Sequence, residues 1–164
     1  MRNVHLEVHL DDDGTPRGAT AREKIAVPID RLWNIIVDVD RFPGRVPMIH
    51  RVRLDGNRAT IDLKFRLSLF SVGFHFVVDV RKEDKKWLEL KWVSGEPKGI
   101  TLRFDLEAAD DGKSTVLAST GEFDVMSLGW LTKYFLKHHP EIQYGIIPGV
   151  AVGLLESMKK AAEA

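Results

Sequence analysis

Apolar and polar residues alternate along most of the chain, the period expected of strands with one buried face. Val4, Leu6, Val8 and Leu10 begin the pattern, and Asp11-Asp12-Asp13-Gly14 turns the chain. A second strand, about Thr20 to Val27, runs into Pro28. Between Asp30 and Val37 the period changes, because Leu32, Trp33, Ile36 and Val37 recur at helical spacing while Pro28 and Asp30 suit a first helical turn. Asp38-Val39-Asp40 interrupts this short helix, and Arg41 to Val46 has room for one further turn before Pro47 stops it.

From Met48 to Val125 the period returns to two, punctuated by turn signals at Asp55-Gly56-Asn57, Glu83-Asp84-Lys85 and Asp110-Asp111-Gly112. Five or six strands are predicted. Ile61, Leu63, Phe65, Leu67 and Leu69 share one side of their strand, and Phe74, Phe76, Val78 and Val80 share one side of the next. Leu88, Leu90 and Trp92 continue the division, as do Ile100, Leu102, Phe104 and Leu106. A sheet with one wholly apolar face must be covered, and only the segments before Met48 and after Val125 are left to do it. After the aromatic-rich stretch Met126 to Leu136, a last helix ends near Ala164, with Ile147, Val150, Ala151, Leu154, Leu155 and Met158 forming its apolar stripe. Pro148 predicts that this helix either starts near it or is kinked there, and a start is the favoured reading. The expected fold is α+β: a curved antiparallel sheet wrapped around a long C-terminal helix, with short helices between the early strands, forming one domain over 1–164.

The stretch Ile25-Ala26-Val27-Pro28-Ile29-Asp30-Arg31-Leu32-Trp33, followed by Asp38-Val39-Asp40-Arg41-Phe42-Pro43 and Pro47, resembles the opening of SRPBCC proteins of the polyketide cyclase/dehydrase or coenzyme-Q-binding type. The order of elements is similar to that of START domains and the birch-pollen-allergen superfamily. The resemblance implies a helix-grip fold enclosing an apolar cavity for a lipid, an isoprenoid quinone or a polyketide-like compound. It also implies that Trp33 anchors the first helix and that the Asp-x-Asp-Arg-Phe stretch turns the chain into the second, where Asp38 or Asp40 can cap. Two departures stand out: an added strand from Arg2 to Leu10, and a long segment between Met126 and Pro148.

Composition narrows the function. The 24 basic and 24 acidic residues cancel, so no basic surplus points to nucleic acid. With no cysteine there is no disulfide, thiolate nucleophile or thiolate zinc ligand. The opening Met-Arg-Asn-Val-His-Leu-Glu lacks the apolar run of a secretory signal, which predicts a cytoplasmic location. The run from Gly145 to Leu155 falls short of the roughly 20 residues that span a bilayer. His5 and His9 would share a strand face about 13 Å apart, too far for one ion. His138 and His139 diverge on a helix, and Asp11 to Gly14 lacks the alternating ligands of a calcium loop. No phosphate loop, dinucleotide fingerprint or nucleophile elbow occurs, so no metal or cofactor is expected.

Leu63, Phe65, Phe74, Phe76, Val78, Leu90, Trp92, Leu102, Phe104, Val150 and Leu154 are the residues expected to line a ligand cavity, or else to form ordinary core. His50 shares parity with Met48, Val52 and Leu54 and so faces the cavity, unless a bulge near Pro47 reverses it; it is the first candidate for a proton role. Ser119, Thr120 and Glu122 are further polar candidates on a strand of unclear parity. Gly149 and Gly153 either let the last helix approach the sheet or leave room for a ligand. Trp130, Tyr134, Phe135 and Leu136, mixed with Lys133, Lys137, His138 and His139, suit either a gate over 126–139 that touches a membrane surface or a packed connecting helix. The leading expectation is a non-catalytic binder or carrier of a hydrophobic small molecule. The alternatives are a cyclase or aromatase working by general acid–base catalysis and a protein-interaction module with no ligand.

Overall fold

A hairpin of β1 (His5–Leu10) and β2 (Pro16–Ile25) opens the chain and is followed by α1 (Ile29–Ile36), a 3-10 turn (Val39–Arg41) and α2 (Phe42–Arg45). An antiparallel meander then runs through β3 (Ile49–Asp55), β4 (Arg58–Leu67), β5 (Phe70–Glu83), β6 (Trp87–Gly95), β7 (Thr101–Ala108) and β8 (Thr115–Glu122). The C-terminal helix, α3, spans Gln143–Glu163. This computed structural model describes residues 3–67, 70–124, 127, 137–138 and 143–164, with side chains described at all of these except 65–67, 70, 72, 143 and 144. The strands form one 8-stranded sheet in the order β1-β2-β8-β7-β6-β5-β4-β3. Every neighbouring pair is antiparallel.

The turns fall where the sequence signals them. Gly56 and Gly112 adopt left-handed backbone (φ +61° and +66°), as tight hairpin turns require. Strand parity then decides what is buried. Ile61, Leu63, Phe74, Phe76, Val78, Leu88, Leu90, Leu102 and Phe104 all lie in the apolar core, while Lys64, His75 and Lys91 are exposed.

On α1, Leu32, Trp33 and Ile36 are buried, as their spacing predicts. Asp38 stands at the start of the 3-10 turn but makes no side-chain cap; its carboxylate pairs with Arg41 at 3.3 Å instead. The two short helices close one end of the sheet through Phe42, whose ring meets Phe104 edge-on with centroids 6.2 Å apart.

Helix α3 lies across β2 and β8 and meets α1. Its stripe of Ile147, Val150, Ala151, Leu154, Leu155 and Met158 is buried as expected. Pro148 is not at its start but inside it, which corrects the expected boundary. The first four N–H groups of any helix lack an internal partner, so a proline at the sixth residue forfeits about one hydrogen bond, which the buried stripe offsets. The helix can approach β8 because position 121 is glycine: a Cβ there would stand 2.8 Å from Val150 Cγ1. The contact is tied by Ser119, whose hydroxyl donates to the Ala151 carbonyl at 2.6 Å, and by Lys159, whose ammonium donates to the nearly buried Glu23 carboxylate at 2.9 Å.

Candidate functional site

Two spaces adjoin where α3, the sheet and the start of β3 meet. The inner one is an apolar void of about 10 Å³ bounded by Met48, Ile49, Leu63, Ile100, Leu102, Phe123, Val150 and Leu154. Strand register builds it. Ile49 pairs with Leu63 across β3 and β4, and Leu102 pairs with Gly121 across β7 and β8, where Val150 packs closely over the bare glycine. Its volume is at the lower limit for one water, and it offers no polar partner, so it is dry.

The outer space is an open groove of about 870 Å³ between the segment from Pro43 to Met48 and the flank of α3 that carries Gly149, Gly153 and Lys160. Arg45, which lines the groove, donates to the Ile35 carbonyl at 3.0 Å and so ties α2 to the end of α1. Gly149 and Gly153 have no side chain to fill the groove, and charged groups, Glu156 and Glu163 among them, stand along it. Met48 is the one described residue that lines both spaces.

No family model matches the chain, and no curated protein does. Solved structures do. A START superfamily protein from Mycobacterium smegmatis superposes with a TM-score of 0.69 at 13% identity, over 90% of this chain and 97% of that one. A Zhui aromatase/cyclase from a Streptomyces species superposes with a TM-score of 0.60 at 13% identity, over 97% of this chain and 94% of that one. A conserved protein from Geobacillus kaustophilus gives 0.65 at 12% identity, over 90% and 95%. The chain has the START-type helix-grip fold.

Within this helix-grip frame the expected lining residues divide. Leu63, Leu102, Val150 and Leu154 border the void. Phe74, Phe76, Val78, Leu90 and Phe104 are buried but belong to the core away from it. Trp92 is half-buried, with its indole N–H donated to the Gly95 carbonyl at 3.0 Å. The Phe65 side chain lies outside the described residues, as do most of 126–139 and with them Trp130, Tyr134, Phe135 and Leu136.

The expectation for His50 is corrected. Its side chain is exposed, because the β3–β4 register shifts between Ile49 and Arg51 and the bulge consumes one residue. Ile49 thereby takes the inward side, and His50 does not share it. On β8 the parity resolves: Ser119 points inward but is bonded to the Ala151 carbonyl, Thr120 meets the Thr20 hydroxyl at 2.9 Å, and Glu122 is exposed. Gly149 and Gly153 do not serve the approach of helix to sheet, since their flank is turned from the stripe headed by Ile147 and Val150; they open the outer groove instead. Among the described residues no cluster of histidine and carboxylate side chains could hold a metal, and no helix is long and apolar enough to cross a membrane.

Sequence reasoning missed Met48, Ile49, Ile100 and Phe123 as lining residues and overlooked the groove. The pair Gly149 and Gly153 was the available signal. Two groups elsewhere on the sheet and its turns have displaced acidities. Arg103 is raised by its hydrogen bond to Asp105, with Glu89 adding to it, and the guanidinium stacks 4.7 Å from the Trp87 ring centre. Asp111 is lowered to about 2 by hydrogen bonds from the turn before β8.

Proposed function

We propose that this helix-grip protein binds an apolar small molecule, such as a lipid, an isoprenoid quinone or a polyketide-like compound, without transforming it. The observation that carries the reading is the shared boundary at Met48 between an open groove and a dry apolar void. The void alone holds no ligand. The groove has the volume of a small-molecule site and receives the molecule, and rotation of Met48, a flexible unbranched thioether, joins the two spaces for an apolar chain. Burial of apolar surface at roughly 25 cal/mol per Å² supplies the affinity, less the costs of ordering. The void's described lining contains no polar side chain, so an apolar chain lodged there meets no acid or base, whereas acid–base catalysis needs at least two polar groups converging on the reacting atoms.

Native mass spectrometry and solvent extraction of the purified protein test the proposal, together with fluorescence titrations using a fatty acid, a quinone and a sterol. A co-purified apolar molecule, or saturable binding that Leu102→Trp weakens, is the expected result. Protein that is empty in every preparation and blind to all three probes would overturn it. The small size of the void favours a second reading, an interaction module whose sheet is filled by its own side chains. That reading predicts the empty, unresponsive outcome.

A further inference from the structure

The two edges of the sheet are built differently. On β3 the bulge at His50 and the exposed Arg51 and Arg53 break and charge the edge, the usual protection against pairing with another chain. Strand β1, at the opposite edge, reads His5-Leu6-Glu7-Val8-His9-Leu10 and contains no lysine, arginine or proline. It carries three of the four exposed large hydrophobic side chains among the described residues: Leu6 (43%), Val8 (39%) and Leu10 (58%). Leu6 and Val8 pair with Ala21 and Ala19, both fully buried, so these two lie on the face of the sheet that α3 covers further in, and β1 runs in regular register with β2 from His5 to His9 before the register shifts at Leu10. Glu7 and His9 point to the other face, where His9 Nε2 meets the Thr20 hydroxyl at 2.9 Å.

We propose that β1 pairs with β1 of a second copy of this chain, antiparallel about a two-fold axis through Val8. In that register Val8 faces its own counterpart, Leu6 faces the partner's Leu10, and Glu7 faces the partner's His9. Apolar groups meet apolar groups on one face, and a carboxylate meets an imidazole on the other. The neighbouring registers fail. A slip of one residue sets the apolar strip against the polar one. A slip of two sets Glu7 against the partner's Glu7 in one direction, and against the partner's Asp11 in the other. The strand is thus self-complementary in one alignment, as an isologous interface requires. The inference is independent of any ligand.

Sedimentation velocity over a concentration series tests it, with circular dichroism to confirm folding. The wild-type chain is expected to show a reversible monomer–dimer equilibrium. Val8→Lys, at a position already exposed, brings two ammonium groups together at the axis and should raise the dissociation constant at least roughly tenfold. His9→Glu should weaken the dimer by opposing two carboxylates, Glu7→Lys should weaken it by removing the carboxylate that faces the partner's imidazole, and the double variant, which sets an ammonium against a carboxylate, should restore it. A chain that stays monomeric at every concentration overturns the proposal, including one whose β1 proves to pair with a strand from another protein. A dimer indifferent to Val8→Lys and to the charge swap overturns it as well.

Discussion

Met48 rests against the bare flank of α3 at Gly153: a Cβ built on that glycine would stand 3.7 Å from Met48 Cε. That is ordinary van der Waals contact, so alanine fits without displacing the methionine. Gly153→Ala should therefore raise stability by about 0.5–1 kcal/mol through reduced backbone entropy cost in the helix. Gly121→Ala is the contrasting case. Its Cβ would come within 2.8 Å of Val150 Cγ1, so the helix must shift, at a cost of about 1–3 kcal/mol. Urea unfolding of the two variants should show midpoints moving in opposite directions. A fall for Gly153→Ala would mean that the groove flank is more crowded than the contact implies.

Met48→Ala removes the partition between groove and void. The enlarged space should bind a hydrophobic fluorophore more tightly and more quickly than wild type, while stability falls by about 2 kcal/mol from lost packing. Stopped-flow mixing with an anilinonaphthalene probe separates the two effects. Unchanged probe binding in a folded variant would show that Met48 does not control access.

Much of the fold is legible in the sequence because β4, β5, β7 and the first half of β6 alternate, and Ile61, Leu63, Phe76, Leu90 and Leu102 are buried as their parity requires. Legibility fails where backbone geometry departs from period two. The bulge at His50 takes that side chain out of parity with Met48 and Val52, which both still pack against the core. Strand β8 reads ambiguously because α3 presses on it, so its inward positions include Ser119 and Gly121, small residues with no apolar signal of their own. The groove was hidden for a related reason. It is defined by what Gly149 and Gly153 lack, on a helix flank that no hydrophobic pattern marks.

Glu23 and Lys159 fasten α3 to β2 across a contact where the Glu23 side chain is 6% exposed and the Lys159 side chain 22%. Glu23→Gln preserves shape but removes the charge, leaving the ammonium poorly compensated. A loss of about 2–3 kcal/mol is expected, below that of a fully buried pair because water still reaches Lys159. Replacing both, Glu23→Leu with Lys159→Met, should recover most of the loss, since apolar isosteres often equal a buried ion pair. Thermal unfolding of Glu23→Leu, Lys159→Met and the double forms the cycle. If the double variant is no better than the worse single, the pair holds the helix by something other than mutual charge.

Asp111 organises the turn between β7 and β8. Oδ1 accepts from the Lys113 and Ser114 backbone N–H groups at 2.9 and 2.8 Å, and Oδ2 accepts from the Ser114 hydroxyl at 2.9 Å. These bonds favour the ionised carboxylate and hold it at about 2, below the roughly 3.9 of an unfolded chain. The folded state therefore binds fewer protons than the unfolded state between those values. The carboxylate's contribution is complete above about pH 4 and fades as pH falls toward about 2. Asp111→Ala should accordingly melt below wild type by a constant margin near neutrality, and the margin should shrink across that acid window. Lys24 stands 3.5 Å away but contributes least, because the backbone bonds dominate; added salt should thus leave the margin almost intact. A margin independent of pH would mean that the side chain stabilises the turn by shape alone. A margin that collapses in salt would transfer the effect from the backbone bonds to Lys24.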